Sequence, residues 1–394
     1  MRRYRTRIGG DPLGGTAFDG GKTGPDDCGN GHGARLPERR DTTIGRPAAG
    51  RANARRAADS RGRPRRVSGR ARTRTLGDAG NLAESRFRLR FPYSVPVSVF
   101  ERAMPVISDL FVYPIKSCAG IATVRAQLLV TGLEYDRNWM VTDPTGAMIT
   151  QRTHPKLALV RTEIGERDLV VAAPGMPELR TPLAAAALAG AGAEPLAATV
   201  WRDTVNALDT GAHATHWFSE FLGTPARLAR FAPNARRVVG AKWTGAFTSY
   251  AQFADGFPIM VVGQSSLDDL NARLRRKGAP AVPMDRFRPN VVLTGLDAYE
   301  EDYVDYLDVQ TGNGGVRLSL VKLCTRCPVP TIDQRTGAPD PGWPNEPLDT
   351  MSVYRGNAQF DGALTFGKNA IVVNGEGAFL EIGQSVDAEI AFGD

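Results

Sequence analysis

Apolar residues follow neither a two-residue nor a 3.6-residue period before residue 104, and from there on they alternate in short runs. The run "MPVISDLFVYPIKS" opens the ordered pattern at Met104, which is the expected native start. Upstream, stretches such as "RPAAGRANARRAADSRGRPRR" mix Arg, Gly and Pro and cannot bury enough apolar surface to offset the entropy of ordering. Residues 1–103 are therefore expected to be an extension without a fold. They lack the contiguous apolar stretch of a signal peptide, and a basic tail that touches RNA or anionic lipid is the alternative reading.

Past residue 104 the runs "VISDLFVYPI", "TVRAQLLVTGLEY" and "NWMVTDPTGAMITQRT" are β-branched or aromatic and punctuated by Gly and Pro, which predicts strands. "DPTG" at 143–146 predicts the turn of a hairpin, and Gly165-Glu166 predicts another. Two helices interrupt the strands. Residues 213–224 put Trp217, Phe218, Phe221 and Leu222 on one side and end at Gly223. Residues 265–278 carry a Ser cap, Asp268 and Asp269 early, Leu267, Leu270 and Leu274 as a stripe, and Arg275, Arg276 and Lys277 before Gly278. Strands then resume as "RPNVVLTG", "VRLSLVKLC" and "AIVVNGEGAFLEIG". The expected fold is mainly β with some helix, an α+β chain whose second half, with many short strands and Gly-rich turns, is a barrel.

Charge changes the picture of partners. The net +7 of the 394 residues averages two unlike parts: residues 1–103 hold 23 Lys and Arg against 10 Asp and Glu, and residues 104–394 hold 26 against 32. The folded part is mildly acidic, so the basic whole-chain balance does not argue for nucleic acid. The Ala/Gly-rich run "LAAAALAGAGAEPLAA" is too weakly apolar to span a bilayer, and a soluble, cytoplasmic protein is expected. Cys28, Cys118, Cys324 and Cys327 do not make a disulfide framework and point to a reducing compartment or a specific site.

Cys324-Thr325-Arg326-Cys327-Pro328 allows four readings: a redox pair, half of a zinc site, two buried thiols beside a turn, or one soft thiolate for a metal that brings most of its own ligands. Cationic forks and hydroxyls suited to a phosphate-bearing ligand recur elsewhere: Lys116 and Ser117 in "YPIKSC", Arg137 in "DRNWM", Arg152 in "QRTHP", and Arg288 and Asn290 in "RFRPN".

These motifs, with "LFVYPIKSCAG", "TQRTHPKL", "SLDDLNARL" and "CTRCPVPTIDQRTG" in this order, resemble the MOSC family over about residues 106–390. Within it the likeness is to the two-domain branch of YcbX-type bacterial proteins and the mitochondrial amidoxime reducing component. The resemblance implies a barrel-like first domain at 104–230, a MOSC barrel at 231–394, and a molybdenum pyranopterin cofactor. By the same likeness Cys327 is the metal ligand and Cys324 its neighbour. Lys116, Ser117, Arg137, Arg288 and Asn290 become cofactor contacts, with Ser265, Thr325 and Arg326 near them. Asp255, in "FADGFP", matches an acidic position near the metal and could relay protons, or simply form a turn with Gly256. The implied reaction is two-electron reduction of hydroxylamines, amidoximes or N-hydroxylated bases. With no cysteine after Cys327, electrons are expected from a separate flavin or iron–sulfur partner. A cofactor carrier or sulfur-handling protein is the alternative, and a description as pyridoxal phosphate binding would also be compatible with the family.

Overall fold

The computed structural model describes residues 104–391 apart from Ala191 and Asn313. The expectations for residues 1–103, Cys28 included, lie outside the described residues.

The largest element is a nine-stranded sheet. Its strands run Val386–Ile390, Val304–Thr311, Gly314–Thr325, Ala363–Asn374, Ile259–Gly263, Val291–Thr294, Val106–Val112, Ile121–Thr123, with Gly356–Asn357 paired on the side of Ala363–Asn374. Adjacent strands are antiparallel except Ile259–Gly263 beside Val291–Thr294. A parallel pair cannot be joined by a tight turn and needs a crossover. The helix Gln264–Lys277 is that crossover, burying Leu267, Leu270 and Leu274 and ending on Gly278 at φ 84°. It starts one residue earlier than the sequence suggests and its N-cap is Gly263, with no side-chain cap bond.

A second, five-stranded sheet is ordered Pro195–Val200, Asp203–Asp209, Arg227–Phe231, Trp139–Thr142, Ile115–Lys116. It packs under the helix Ala212–Leu222, whose Trp217 and Phe218 join Trp139, Leu169 and Leu228 in one apolar cluster. As expected, Gly223 closes that helix in the left-handed region. The core of the large sheet is a separate cluster built from alternating residues such as Leu110, Val261, Leu293, Leu307 and Leu318.

The α+β class is as expected, but neither sheet closes into a continuous barrel ladder. Among the described residues the segment leading into Val386–Ile390 reaches Val106–Val112 through an isolated bridge, Val106 to Ser385, and bonds such as Ile107 N–H to the Gln384 carbonyl at 3.0 Å. The physical reason is a change of partner: Phe379–Glu381 pairs with Arg125–Leu129, the chain turns at Gly383 (φ 92°), and Val386–Ile390 then pairs with Val304–Thr311. The early strands Val106–Val112 and Arg125–Leu129 thus complete the sheetwork of late ones.

Candidate functional site

Backbone strain marks the site before chemistry does. Among the described residues seven non-glycine residues have positive φ, which costs free energy that packing must offset, and such residues gather at functional sites. Four of the seven, Ser117, Arg137, Trp201 and Arg288, line one cavity of about 430 Å³. The small sheet contributes Lys116 and Ser117 at a strand end and Trp201 at the two-residue tip of the hairpin Pro195–Val200/Asp203–Asp209. The large sheet contributes Arg288 and Asn290 just before Val291–Thr294, and Lys322 and Cys324 to Cys327 at the end of Gly314–Thr325.

Arg137 and Arg288 each lie 4.3 Å from the centre of the Tyr113 ring. Arg137 is oriented by Asp136 (Nη1 to Oδ2, 2.6 Å) and by the Arg288 carbonyl (3.2 Å). Asn290 is fully committed as a strut: its Oδ1 accepts from the Met260 N–H (3.1 Å) and Arg137, and its Nδ2 donates to the Phe111 carbonyl (3.2 Å). Arg288 donates to the Cys118 carbonyl at 2.7 Å, while its Nη2 is buried with no partner among the described residues. Burial lowers the Arg288 guanidinium from its ordinary value.

Lys116 is buried and donates to Asp255 Oδ1 (2.5 Å) and the Phe253 carbonyl (2.9 Å). Burial lowers its ammonium from the usual lysine value against the pull of Asp255. The Asp255 side chain is 60 % exposed, open to the cavity. Its desolvation would raise the carboxyl, but Lys116, Arg152 and the Trp201 N–H (3.1 Å) outweigh this and hold it far below the carboxylate range. A carboxylate so held is ionised near neutrality and stands as the counter-ion of Lys116.

The two thiols of the C-T-R-C stretch differ. Cys324 Sγ accepts from Arg326 Nη1 at 3.1 Å and packs against the cluster of Phe287, Met351 and Phe366. Arg326 also donates to the Phe287 carbonyl (2.9 Å), and its Nε is buried without a partner among the described residues. Cys327 is half-buried in the cavity wall, beyond Thr325 where the strand ends. Cys118, Cys324 and Cys327 are all free, and no group of three or more His, Cys, Asp or Glu side chains gathers to hold a metal among the described residues.

Of the residues singled out from the sequence, Lys116, Ser117, Arg137, Asp255, Arg288, Asn290, Thr325, Arg326 and Cys327 come together here. Ser265 does not line the cavity: it sits in the first turn of Gln264–Lys277 and its hydroxyl donates to the Leu296 carbonyl at 2.6 Å. Sequence reasoning missed Trp201, Arg237, Trp243 and Lys322. Arg237, buried and paired with Asp203, holds the 252–255 loop through the Gln252, Ala254 and Asp255 carbonyls. A lone Trp between two strand patterns, as in "ATVWRDTV", was the available signal for the hairpin tip. In all, eight Lys and Arg side chains line the cavity against two carboxylates, Asp203 and Asp255, an excess of positive charge that favours anions.

Residues 104–225 match the family model described as MOSC N-terminal beta barrel domain, and residues 249–387 match that of the MOSC domain. The chain is 34% identical over 262 residues to mitochondrial amidoxime reducing component 2 of Bos taurus, covering 63% of this chain and 72% of that one. The protein of the same name from Homo sapiens is 33% identical over 261 residues, with the same coverage. Molybdenum cofactor sulfurase of Bos taurus is 31% identical over 246 residues, 59% of this chain and 27% of that one. Nothing in these likenesses supports pyridoxal phosphate. No helix among the described residues is long and apolar enough to cross a membrane.

Proposed function

Because the chain belongs to the MOSC family, we propose that its cavity holds a molybdenum pyranopterin and that the protein reduces N-hydroxylated compounds to amines. The observation that carries this reading is one cavity with a half-buried thiol, Cys327, in a wall where cations outnumber carboxylates eight to two. The fit is specific: a phosphate-bearing ligand would satisfy the partnerless Arg288 Nη2, and Cys327 is the thiol not already engaged by Arg326. Cys327 is the proposed metal ligand; Arg137, Arg288, Lys116 and Ser117 hold the phosphate and pterin, with Thr325 and Arg326 beside them. Asn290 acts through Arg137, which it positions. When bound, the cofactor supplies the two-electron oxygen-transfer chemistry, and the protein binds and orients.

The balance of the reaction is R–NHOH with two electrons and two protons to R–NH2 and water. Lys116 uses two of its three N–H bonds on Asp255 and Phe253 and holds a proton on Nζ that is more acidic than that of a free lysine. In this proposal it is the proton-bearing group of the wall, and ionised Asp255 is its counter-ion. Electrons come from a separate flavin or iron–sulfur protein, and the reaction runs in the cytoplasm. We further place the boundary between the two MOSC units near residue 230.

The likeness to molybdenum cofactor sulfurase favours a second reading, a cofactor carrier or sulfur-handling protein. The test is metal and pterin analysis of the purified chain, followed by an assay with a reductase partner and an N-hydroxylated purine. Molybdenum with reduction supports the enzyme; molybdenum without reduction supports the carrier; neither metal nor pterin overturns both.

A further inference from the structure

Among the described residues five Lys and Arg are buried: Lys116, Arg237, Arg286, Lys322 and Lys368. Four of them sit against a carboxylate, respectively Asp255, Asp203, Asp333 and Asp305. Lys322 is the exception. Among the described residues its ammonium has neither a carboxylate nor a hydrogen-bond acceptor, and its neighbours are the rings of Trp243 at 4.7 Å, Phe360 at 5.6 Å and Phe257 at 6.0 Å. Ring faces attract a cation but leave its charge uncompensated, and although the Lys322 residue is buried, its ammonium is not among the sealed partnerless atoms and so opens on free space. Lys322 lines the cavity, so the cavity is where a counter-ion can enter.

A second observation bears on what brings the anion. Trp243 lies on the single helical turn Ala241–Thr244, between the two family-matched ranges, 104–225 and 249–387. This stretch nevertheless supplies cavity wall through Val238, Val239, Gly240 and Trp243. An indole face beside an ammonium suits a ligand that joins a flat π-system to a negative group.

We propose that Lys322 and Trp243 form a substrate subsite, the ammonium taking an oxyanion and the indole taking the planar ring that carries it. The inference rests on the function proposed above and narrows its substrate class. The preferred substrates are N-hydroxylated aromatic or heterocyclic compounds bearing a phosphate or carboxylate, ahead of their neutral counterparts. Lys322 determines specificity; it does not take part in breaking the N–O bond.

The experiment compares kcat/KM of the holoenzyme on two matched pairs: N-hydroxylated adenosine monophosphate against N-hydroxylated adenosine, and carboxybenzamidoxime against benzamidoxime. The wild type is expected to prefer the anionic member of at least one pair, and the pair that responds tells phosphate from carboxylate. Lys322→Gln should lower that preference about tenfold, and Lys322→Arg should retain most of it. Calorimetric affinities for the unreactive products, adenosine monophosphate against adenosine and carboxybenzamidine against benzamidine, should show the same loss. Molybdenum and pterin content are measured in each variant. Preferences that are the same in wild type and Lys322→Gln for both pairs overturn the inference, as does a fall in pterin content with the preference intact, which would give Lys322 to the cofactor. Lys322-dependent product discrimination without any reduction would keep the subsite and remove the proposed function; reduction without that discrimination would do the reverse.

Discussion

Cys324 and Cys327 are three residues apart, and the fold gives them different surroundings. Both line the cavity, but Arg326 and the Phe287 cluster engage Cys324, while Cys327 has no such partner among the described residues. Cys327→Ala is therefore expected to lose nearly all molybdenum and activity, and Cys324→Ala to keep most of both. Elemental analysis decides it, and equal metal in wild type and the Cys327 variant would refute the assignment. The Lys116–Asp255 pair gives a pH prediction. Asp255 has a folded pKa below its unfolded value, so its stabilisation is present above the ordinary carboxylate range, about pH 4, and is lost as pH falls through the lower folded value. Asp255→Asn should flatten the acid limb of Tm against pH and lower Tm at neutrality, because Lys116 is left buried without its counter-charge. Thermal melts of both proteins between acid and neutral pH test this. The residue types at the site were legible because Arg, Lys and Cys at strand ends are chemically conspicuous. The state of Asp255 was not, because it depends on Lys116, 139 residues away.

The long strand Ala363–Asn374 bends against Gly314–Thr325 at Gly367, where φ is 73° and the register shifts between Leu323 and Thr325. The extra residue lies on Ala363–Asn374 and bends that strand beside the last residues of its neighbour, the segment that leads to Arg326 and Cys327. A Cβ at Gly367 would meet the Val261 carbonyl oxygen at 2.7 Å, in a backbone conformation that L side chains avoid. Gly367→Ala is expected to cost about 2 kcal/mol or more and to lower metal content, read by denaturant titration and elemental analysis. Full retention of both would mean the bend is dispensable. The element pattern shows what local sequence can say. Gly223 and Gly278 were readable as helix ends because a left-handed C-cap needs glycine. The start of Gln264–Lys277 was not, because the two serines that look like caps bond elsewhere, Ser265 to Leu296 and Ser266 to Glu301.

At the scale of the molecule, alternation predicts that a strand exists but not which strand it will join. The α+β class followed from the pattern, whereas the pairing of Val106–Val112 with Val291–Thr294 did not. A fragment of residues 231–394 lacks Val106–Val112 and Arg125–Leu129 and is expected not to fold cooperatively, whereas residues 104–394 should melt in one transition. Circular dichroism on the two fragments checks this, and a sharp transition in the shorter one would count against it. The body over residues 104–394 carries six more acidic than basic residues, yet its cavity wall has six more cations than carboxylates. Binding of anionic ligands should therefore weaken with ionic strength, which a salt series of affinities measures.

The same interleaving sets an order of events during synthesis. The Val106 carbonyl accepts a bond from Thr294, 188 residues later. At usual ribosomal speeds roughly ten to forty seconds separate the emergence of the two, and although Ile121–Thr123 can pair with the early strand soon after it is made, the edge that joins Val291–Thr294 waits open in that interval. Arg137 and Lys116 are made early, and Arg288, Arg326 and Cys327 late. A nascent chain therefore has half of the proposed cradle and not yet Cys327, so loading of the proposed cofactor is expected to follow synthesis, on the finished fold.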